Sequence, residues 1–149
     1  MLHGWGMLTN PAGMNTLTHA IIGCGIRVHR EIGPGVLENI YNECMQYELR
    51  QEGLRFDRER AVPLVYKGQK LKSRYYVDLV VEDRVIVELK TVVEIVEIHK
   101  KQVLTQLKLA GLHTGLILNF NVEVLTDGGV KRVVNPAAGQ DDFDPNAGV

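Results

Sequence analysis

The sequence predicts an α/β or α+β domain in which helices pack on a central sheet. Two observations support this prediction. The spacing of apolar residues changes from helical to alternating after Gly53, and helical spacing returns once, between the third and fourth predicted strands. The resulting order of elements is α-α-β-β-β-α-β-β. A chain of 149 residues is long enough for one domain with a substantial core.

Two helices are predicted before Gly53. In the first, Asn15 or Thr16 is expected to be the N-cap, and Gly33-Pro34-Gly35 is expected to end the helix. The second is predicted over residues 36–52. Apolar residues recur at helical spacing in both: Leu17, Ile21, Cys24 and Val28 in the first, and Leu37, Ile40, Tyr41, Cys44 and Tyr47 in the second.

The rest of the chain is predicted to form the sheet and one more helix. The helix spans residues 97–110 and is closed by Gly111. The predicted strands are 55–66, 71–81, 85–93, 113–120 and 129–134. Residues 1–14 are expected to be a flexible leader and residues 136–149 a disordered tail, which leaves a folded domain over residues 15–135.

Composition limits the function only loosely. Hydrophobic residues make up 45% of the chain and charged residues 23%, as in ordinary soluble domains. Three of the 18 acidic residues lie in the predicted tail, which leaves 15 against 17 basic residues. This mild excess permits nucleic-acid binding without arguing for it. The usual nucleotide-binding and serine-hydrolase motifs do not occur.

The two cysteines and the hydropathy pattern predict a cytoplasmic protein without a membrane partner. Cys24 and Cys44 fall in separate predicted helices, so neither a disulfide framework nor a zinc site is expected. No apolar run approaches the roughly 18 residues needed to span a bilayer. The first residues also lack the basic and apolar regions of a signal peptide.

Residues 75–90 are predicted to form a β-hairpin that carries two acidic residues in its strands. If residues 82–84 form a three-residue loop, the register gives three pairs: Val81 with Val85, Val80 with Ile86, and Asp78 with Glu88. A two-residue loop would instead place Asp78 and Glu88 on opposite faces of the sheet.

The three-residue loop would bring two carboxylates and a lysine together. Directly opposed Cβ atoms are about 5 Å apart, and like charges in that position destabilise a sheet. A divalent cation between Asp78 and Glu88 would reverse this effect, and Lys90 would project on the same face. Such a group suits metal-assisted phosphodiester hydrolysis. The alternative is an edge hairpin whose charged side chains simply face water.

Further polar residues are candidates for the same site. Glu38 lies in the first turn of the second helix, where the macrodipole alone would favour an acid. It is alternatively a third carboxylate for the metal. Gln102 and Gln106 lie on a polar stripe of the third helix, which is either a solvated face or a surface that contacts phosphates. Lys131 and Arg132 are considered for similar contacts with the phosphate backbone of a nucleic acid.

Gly35, Glu38 and Tyr41 stand at the spacing G-x-x-E-x-x-Y, followed in order by Asp78 and by Glu88-Leu89-Lys90. With these residues the chain resembles the GxxExxY family of the PD-(D/E)XK nuclease superfamily. The resemblance runs from about residue 17 to residue 134. It also includes four other segments: residues 28–35, 66–68, 115–121 and 129–132.

The resemblance implies a restriction-endonuclease-like αβββαβ core, with a mixed central sheet flanked by helices. It implies that Asp78, Glu88 and the carbonyl of Leu89 ligate Mg²⁺ or Mn²⁺. Glu38 would complete the metal site. Lys90 would orient the attacking water and offset charge in the transition state.

The resemblance also implies that Gln102 lies beside the metal. The chain departs from the superfamily pattern at two positions. Gln106 replaces an aromatic residue of some branches, and Val77 replaces the proline before Asp78. Neither change removes a metal ligand. The prediction is a divalent-metal-dependent endonuclease acting on DNA, dimeric if it cuts duplexes. The alternative is a non-catalytic nucleic-acid-binding or protein-interaction module on the same fold.

Overall fold

The computed structural model describes residues 13–139. Its helices are α1 (Gly13–Ile32), α2 (Glu38–Gln51) and α3 (Glu97–Ala110). Its strands are β1 (Phe56–Tyr66), β2 (Gln69–Val81), β3 (Val85–Lys90), β4 (Thr114–Asn119) and β5 (Val130–Val134), and a 3₁₀ turn covers Pro136–Ala138. The predicted order of elements is confirmed. Most of the predicted leader and the tail from residue 140 lie outside the described residues.

The five strands form one mixed sheet in the order β1-β2-β3-β4-β5. Strands β3 and β4 are parallel, and the other neighbouring strands are antiparallel. A parallel pair needs a crossover connection, and α3 supplies it. The predicted mixed central sheet with flanking helices is therefore confirmed.

Helices cover both faces of this sheet. The first core lies between the sheet and helices α1 and α2, and the second core lies between the sheet and α3. Strand β3 contributes to both, because Val85 and Val87 enter the first core and Ile86 enters the second. Alternate residues of a strand point to opposite faces, so this central strand reads as a continuous apolar run until Glu88.

The start of α1 differs from the prediction. Asn15 and Thr16 were expected to cap the helix, but Gly13 and Met14 are already helical. Met14 is buried in the first core and extends the apolar stripe by one turn. This apolar contact takes precedence over the local capping preference, and Asn15 instead accepts a hydrogen bond from Thr18 Oγ1 at 3.2 Å through its carbonyl oxygen.

Two later boundaries also differ. Strand β3 ends at Lys90 rather than at residue 93, because the backbone of Val92 bonds the side chain of Asn119 instead of continuing a ladder. The first residues of the predicted tail form the 3₁₀ turn, in which Asn135 Oδ1 accepts from the amide of Ala137 at 3.2 Å.

Within residues 13–139, none of the helices combines the length and the apolar character needed to cross a membrane. The thiols of Cys24 and Cys44 are free. Burial raises the pKa of Cys24 to about 12, so this thiol stays protonated and unreactive at neutral pH.

Candidate active site

The hairpin between β2 and β3 has the register expected for a three-residue loop. Val81 pairs with Val85 and Val80 with Ile86, as predicted. The loop turns through two residues with positive φ, Glu82 at 56° and Asp83 at 57°. The Glu82 carboxylate also accepts a hydrogen bond from the backbone of the segment before β1. This register makes Asp78 and Glu88 the next opposed residues after the ladder ends.

The two strands separate at these acids. The last ladder pair is Leu79 with Val87. Beyond it, the amide of Leu89 donates to Asp78 Oδ2 at 3.1 Å. Asp78 thus lies where β2 leaves β3, and its carboxylate satisfies a backbone group of the neighbouring strand.

The side-chain alternation of strand β2 is interrupted at Asp78. Val77 belongs to the second core, whereas Leu79 belongs to the first, although residues two apart in a regular strand share a face. Leu79 pairs with Arg58 of β1, and Val77 pairs with Arg60 of the same strand. Glu59, which lies between these two arginines, has a φ of 50°. A left-handed conformation at a non-glycine residue is strained, and such strain concentrates at functional sites. The acid of β2 therefore lies at a local irregularity of the sheet.

Glu88 and Lys90 form the second part of the group. Lys90 Nζ lies 3.6 Å from Glu88 Oε2, and the two side chains are 20% and 16% exposed, respectively. The other carboxylate oxygen of Glu88 is buried without a hydrogen-bond partner. Burial, and then the charge of Asp78, raise the pKa of Glu88 to about 7, although Lys90 opposes the shift. The fold therefore holds Glu88 where its ionised form is destabilised.

The ionised form of Asp78 is also destabilised by its surroundings. Burial raises its pKa, the Leu89 amide lowers it, and the charge of Glu38 raises it further. Glu38 is thus close enough to influence this carboxylate electrostatically. The three acids form one interacting group, with Lys90 as the cation that partly compensates them.

Glu38 reaches the group from α2. It is the first residue of that helix, and its Oε2 accepts from the amide of Thr91 at 3.2 Å and from Thr91 Oγ1 at 3.4 Å. Thr91 directly follows Lys90, so this contact ties the helix to the end of β3. Glu38, Asp78 and Leu89 line a common cleft of about 610 Å³.

This arrangement can be compared with known proteins. A family model described as the PD-(D/E)XK nuclease superfamily matches residues 15–133. The chain belongs to this superfamily. Searches among curated proteins and among solved structures give no match. Membership agrees with the observed mixed sheet and indicates nuclease chemistry at the level of the superfamily.

The carboxylate oxygens of Asp78, Glu88 and Glu38 are donor atoms that fit a hard divalent cation. Within the described part of the chain, no three His, Cys, Asp or Glu side chains form a ready metal-binding group. Asp78, Glu88 and Glu38 each contact protein atoms. Carboxylate and carbonyl oxygens are nevertheless the ligands that Mg²⁺ prefers. A cation would also give the buried Glu88 Oε1 a partner and offset the repulsion between the acids.

The glutamines of α3 differ from each other in their environment. The side chain of Gln102 is exposed and makes no hydrogen bond to the described residues, so its predicted place beside a metal stays a prediction. Gln106 is buried instead, and its Oε1 lacks a hydrogen-bond partner. Arg132, considered for phosphate contacts, donates to Thr18 Oγ1 at 2.9 Å and joins β5 to α1.

Tyr41 supports the loop that leads into α2. It is fully buried and stacks on Phe120, with ring centroids 4.4 Å apart and an interplanar angle of 7°. Its hydroxyl donates to the carbonyl of Gly33 and accepts from the amide of Val36 at 3.3 Å. Gly35, with a φ of 97°, allows the turn between these two bonds. The tyrosine therefore holds the start of the helix that carries Glu38.

Replacing Tyr41 by phenylalanine is expected to lower the free energy of unfolding by about 1–2 kcal/mol. The ring still stacks, but two backbone groups of the loop lose their partner. Urea unfolding measures the change, and Tyr47→Phe, at an exposed position of the same helix, is the matched control. Equal stability of the Tyr41 variant and the wild type would contradict this role.

Proposed function

We propose that this chain is a divalent-metal-dependent nuclease that hydrolyses phosphodiester bonds in DNA. The observation that carries the proposal is the grouping of Asp78, Glu88 and Lys90 where β2 and β3 separate. Two partly buried acids that repel each other are costly for stability, and this cost has a simple explanation if the group performs chemistry. Membership of the PD-(D/E)XK superfamily supports the assignment.

In this proposal Asp78, Glu88 and the Leu89 carbonyl hold Mg²⁺ or Mn²⁺. When bound, such an ion polarises the scissile phosphate and lowers the pKa of a water molecule. Lys90 orients the attacking water and stabilises the negative charge that develops on the phosphate oxygens. Its contact with Glu88 at 3.6 Å keeps the ammonium beside the acids.

Glu38 completes the site from the helix side, and Gln102 is proposed to approach it from α3. We also propose that the chain belongs to the GxxExxY branch of the superfamily. The support is that Glu38 contacts the segment after β3 while Tyr41 anchors the loop before α2. The spacing of this motif thus serves to position an acid.

Two broader features belong to the same proposal. A homodimer is expected if the substrate is duplex DNA, because symmetric cleavage of both strands requires two active sites. A cytoplasmic location is expected because the free thiols of Cys24 and Cys44 suit a reducing compartment.

A titration with Mg²⁺ tests the metal site independently of turnover. At a concentration about 100 times the dissociation constant, binding stabilises the folded state by about 2.7 kcal/mol. We therefore expect the melting temperature of the wild type to rise by several degrees. Glu88→Gln removes a ligand charge with little change of shape. Its melting temperature is expected to be the same with and without Mg²⁺. An equal rise in both proteins would contradict the site.

A further inference from the structure

Strands β1 and β2 are much longer than the rest of the sheet. Strand β2 has 13 residues and β3 only six, and the two pair only from Leu79 to Val81 on the β2 side. Residues 61–77 therefore form a two-stranded hairpin that continues beyond the five-stranded sheet. We call this hairpin the β-arm. Its base is anchored by Val62 and Val77 in the second core.

The charges of the β-arm all have one sign. It carries no acidic residue and four exposed basic residues: Lys67, Lys70, Lys72 and Arg74. The whole chain has a net charge of −1, so this segment is a local concentration of positive charge in a slightly acidic protein. Such a surface attracts a polyanion.

Two of the basic side chains share a face. Lys70 and Arg74 pair with Val65 and Pro63, which are alternate residues of β1, whereas Lys72 lies between them where the register shifts. That face is opposite to the one on which Tyr75 and Val77 pack against the second core. Because Val65 and Pro63 are two residues apart, Lys70 and Arg74 are about 7 Å apart along the β-arm, and Arg74 is about 13 Å of strand from Asp78 at about 3.3 Å per residue. The basic residues thus lead along β2 to the candidate active site.

Apolar and aromatic side chains are exposed on the same β-arm. Val65 is 64% exposed, Tyr66 61% and Tyr76 64%. Lysines on an edge strand often serve only to prevent aggregation. Protection against aggregation would explain the lysines. It would not explain the exposed tyrosines and valine, because apolar side chains on a strand edge favour aggregation. Tyrosine side chains are, however, well suited to contact surfaces.

We propose that the β-arm binds the phosphate backbone of duplex DNA beside the bond that the active site cleaves. This inference rests on the proposed nuclease function. A two-stranded ribbon fits the major groove of a duplex, and lysine and arginine contacts to phosphates set the position of a protein on it. The spacing of Lys70 and Arg74, about 7 Å along the β-arm, matches about two base pairs along the helix axis.

The test compares two variants that lose the same charge. The arm variant combines Lys67→Gln, Lys70→Gln, Lys72→Gln and Arg74→Gln. The control variant combines Arg30→Gln, Lys100→Gln, Lys101→Gln and Lys108→Gln on helices α1 and α3. Binding of labelled duplex DNA is measured by fluorescence anisotropy in EDTA, which prevents metal-dependent cleavage, between about 50 and 200 mM salt. Circular dichroism and gel filtration verify that each variant is folded and not aggregated.

We expect the arm variant to bind on the order of 100-fold more weakly than the wild type, with a salt dependence reduced by about three to four ion equivalents. The control variant is expected to stay within about threefold. Equal weakening of both variants would overturn the proposal. So would aggregation of the arm variant with normal DNA affinity in its soluble fraction, since that result assigns the lysines to edge protection.

Cleavage by the same proteins separates this inference from the proposed function. If the wild type cleaves DNA and the arm variant binds and cleaves equally well, the β-arm assignment fails and the nuclease assignment stands. If the folded wild type neither binds nor cleaves any nucleic acid, both fail.

Discussion

Replacing Asp78 by asparagine is expected to reduce the rate of nucleic-acid cleavage on the order of a thousandfold, because a metal ligand loses its charge. The substitution keeps the shape of the side chain, and the asparagine oxygen can still accept the hydrogen bond from the Leu89 amide. Burial already raises the pKa of Asp78, so removing its charge is not expected to unfold the protein. Single-turnover cleavage with Mg²⁺ measures the effect.

The control for this experiment is Asp127→Asn, which makes the same chemical change at an exposed loop position. It is expected to cleave at the wild-type rate. Thermal melting of both variants separates loss of chemistry from loss of fold. Retained cleavage by a folded Asp78→Asn protein would remove this residue from the active site and, with it, the proposed metal ligand set.

Replacing Glu88 by glutamine is expected to stabilise the metal-free protein by about 3 kcal/mol at pH 8. Burial and the charge of Asp78 raise the pKa of Glu88 from 4.5 to about 7 in the folded state. The folded protein therefore binds a proton more tightly than the unfolded chain does, and ionisation of this group destabilises the fold. Each unit of pKa difference corresponds to about 1.4 kcal/mol.

The pH dependence of this effect has a defined sign. Between pH 4.5 and about 7 the unfolded chain is ionised at Glu88 while the folded protein tends to keep its proton. Stability of the wild type thus falls as pH rises through this interval, and the penalty is complete above about pH 7. The advantage of the glutamine variant should be largest at pH 8 and should disappear toward pH 4.5.

Urea unfolding in EDTA, repeated across this pH range, measures the difference. Glu43→Gln, at an exposed position of α2, is the matched control and is expected to change stability by less than about 0.5 kcal/mol. A Glu88 variant that is less stable than the wild type at pH 8, or an advantage that is independent of pH, would contradict the account. A stabilising variant without activity is what a strained active site predicts.

Much of the architecture follows from local patterns. The change from helical to alternating spacing after Gly53 gave the order of elements, and the three-residue loop gave the register at Val80 and Val81. The irregularity of β2 at Asp78 did not follow from the sequence. It depends on where β3 stops pairing and on the positive φ of Glu59 in another strand, and neither is encoded near Asp78 in the sequence.

The group of acids was also partly accessible from sequence. The hairpin register identified Asp78, Glu88 and Lys90, but not the hydrogen bond between Thr91 and Glu38. That contact links residues far apart in the chain, and its only local signal is a polar residue directly after the strand. Whether Gln102 or Gln106 enters the interior depends on how α3 packs, which its weakly amphipathic sequence does not determine.

The β-arm shows a signal that net charge conceals. Basic and acidic residues nearly balance over the whole chain, yet residues 61–77 contain only basic ones. The pattern of charge within one hairpin is therefore more informative than the total. Its protrusion from the sheet could not be anticipated, because strand length relative to β3 depends on the tertiary pairing.

The most direct test of the central claim is a cleavage assay of the wild type on single-stranded, duplex and branched DNA and on RNA, with Mg²⁺, with Mn²⁺ and with EDTA. Lys90→Ala is assayed in parallel. The account predicts metal-dependent cleavage of at least one DNA substrate by the wild type, no cleavage in EDTA, and none by the Lys90 variant. A folded wild type that binds Mg²⁺ but cleaves no substrate would contradict the claim and indicate a non-catalytic module on the nuclease fold.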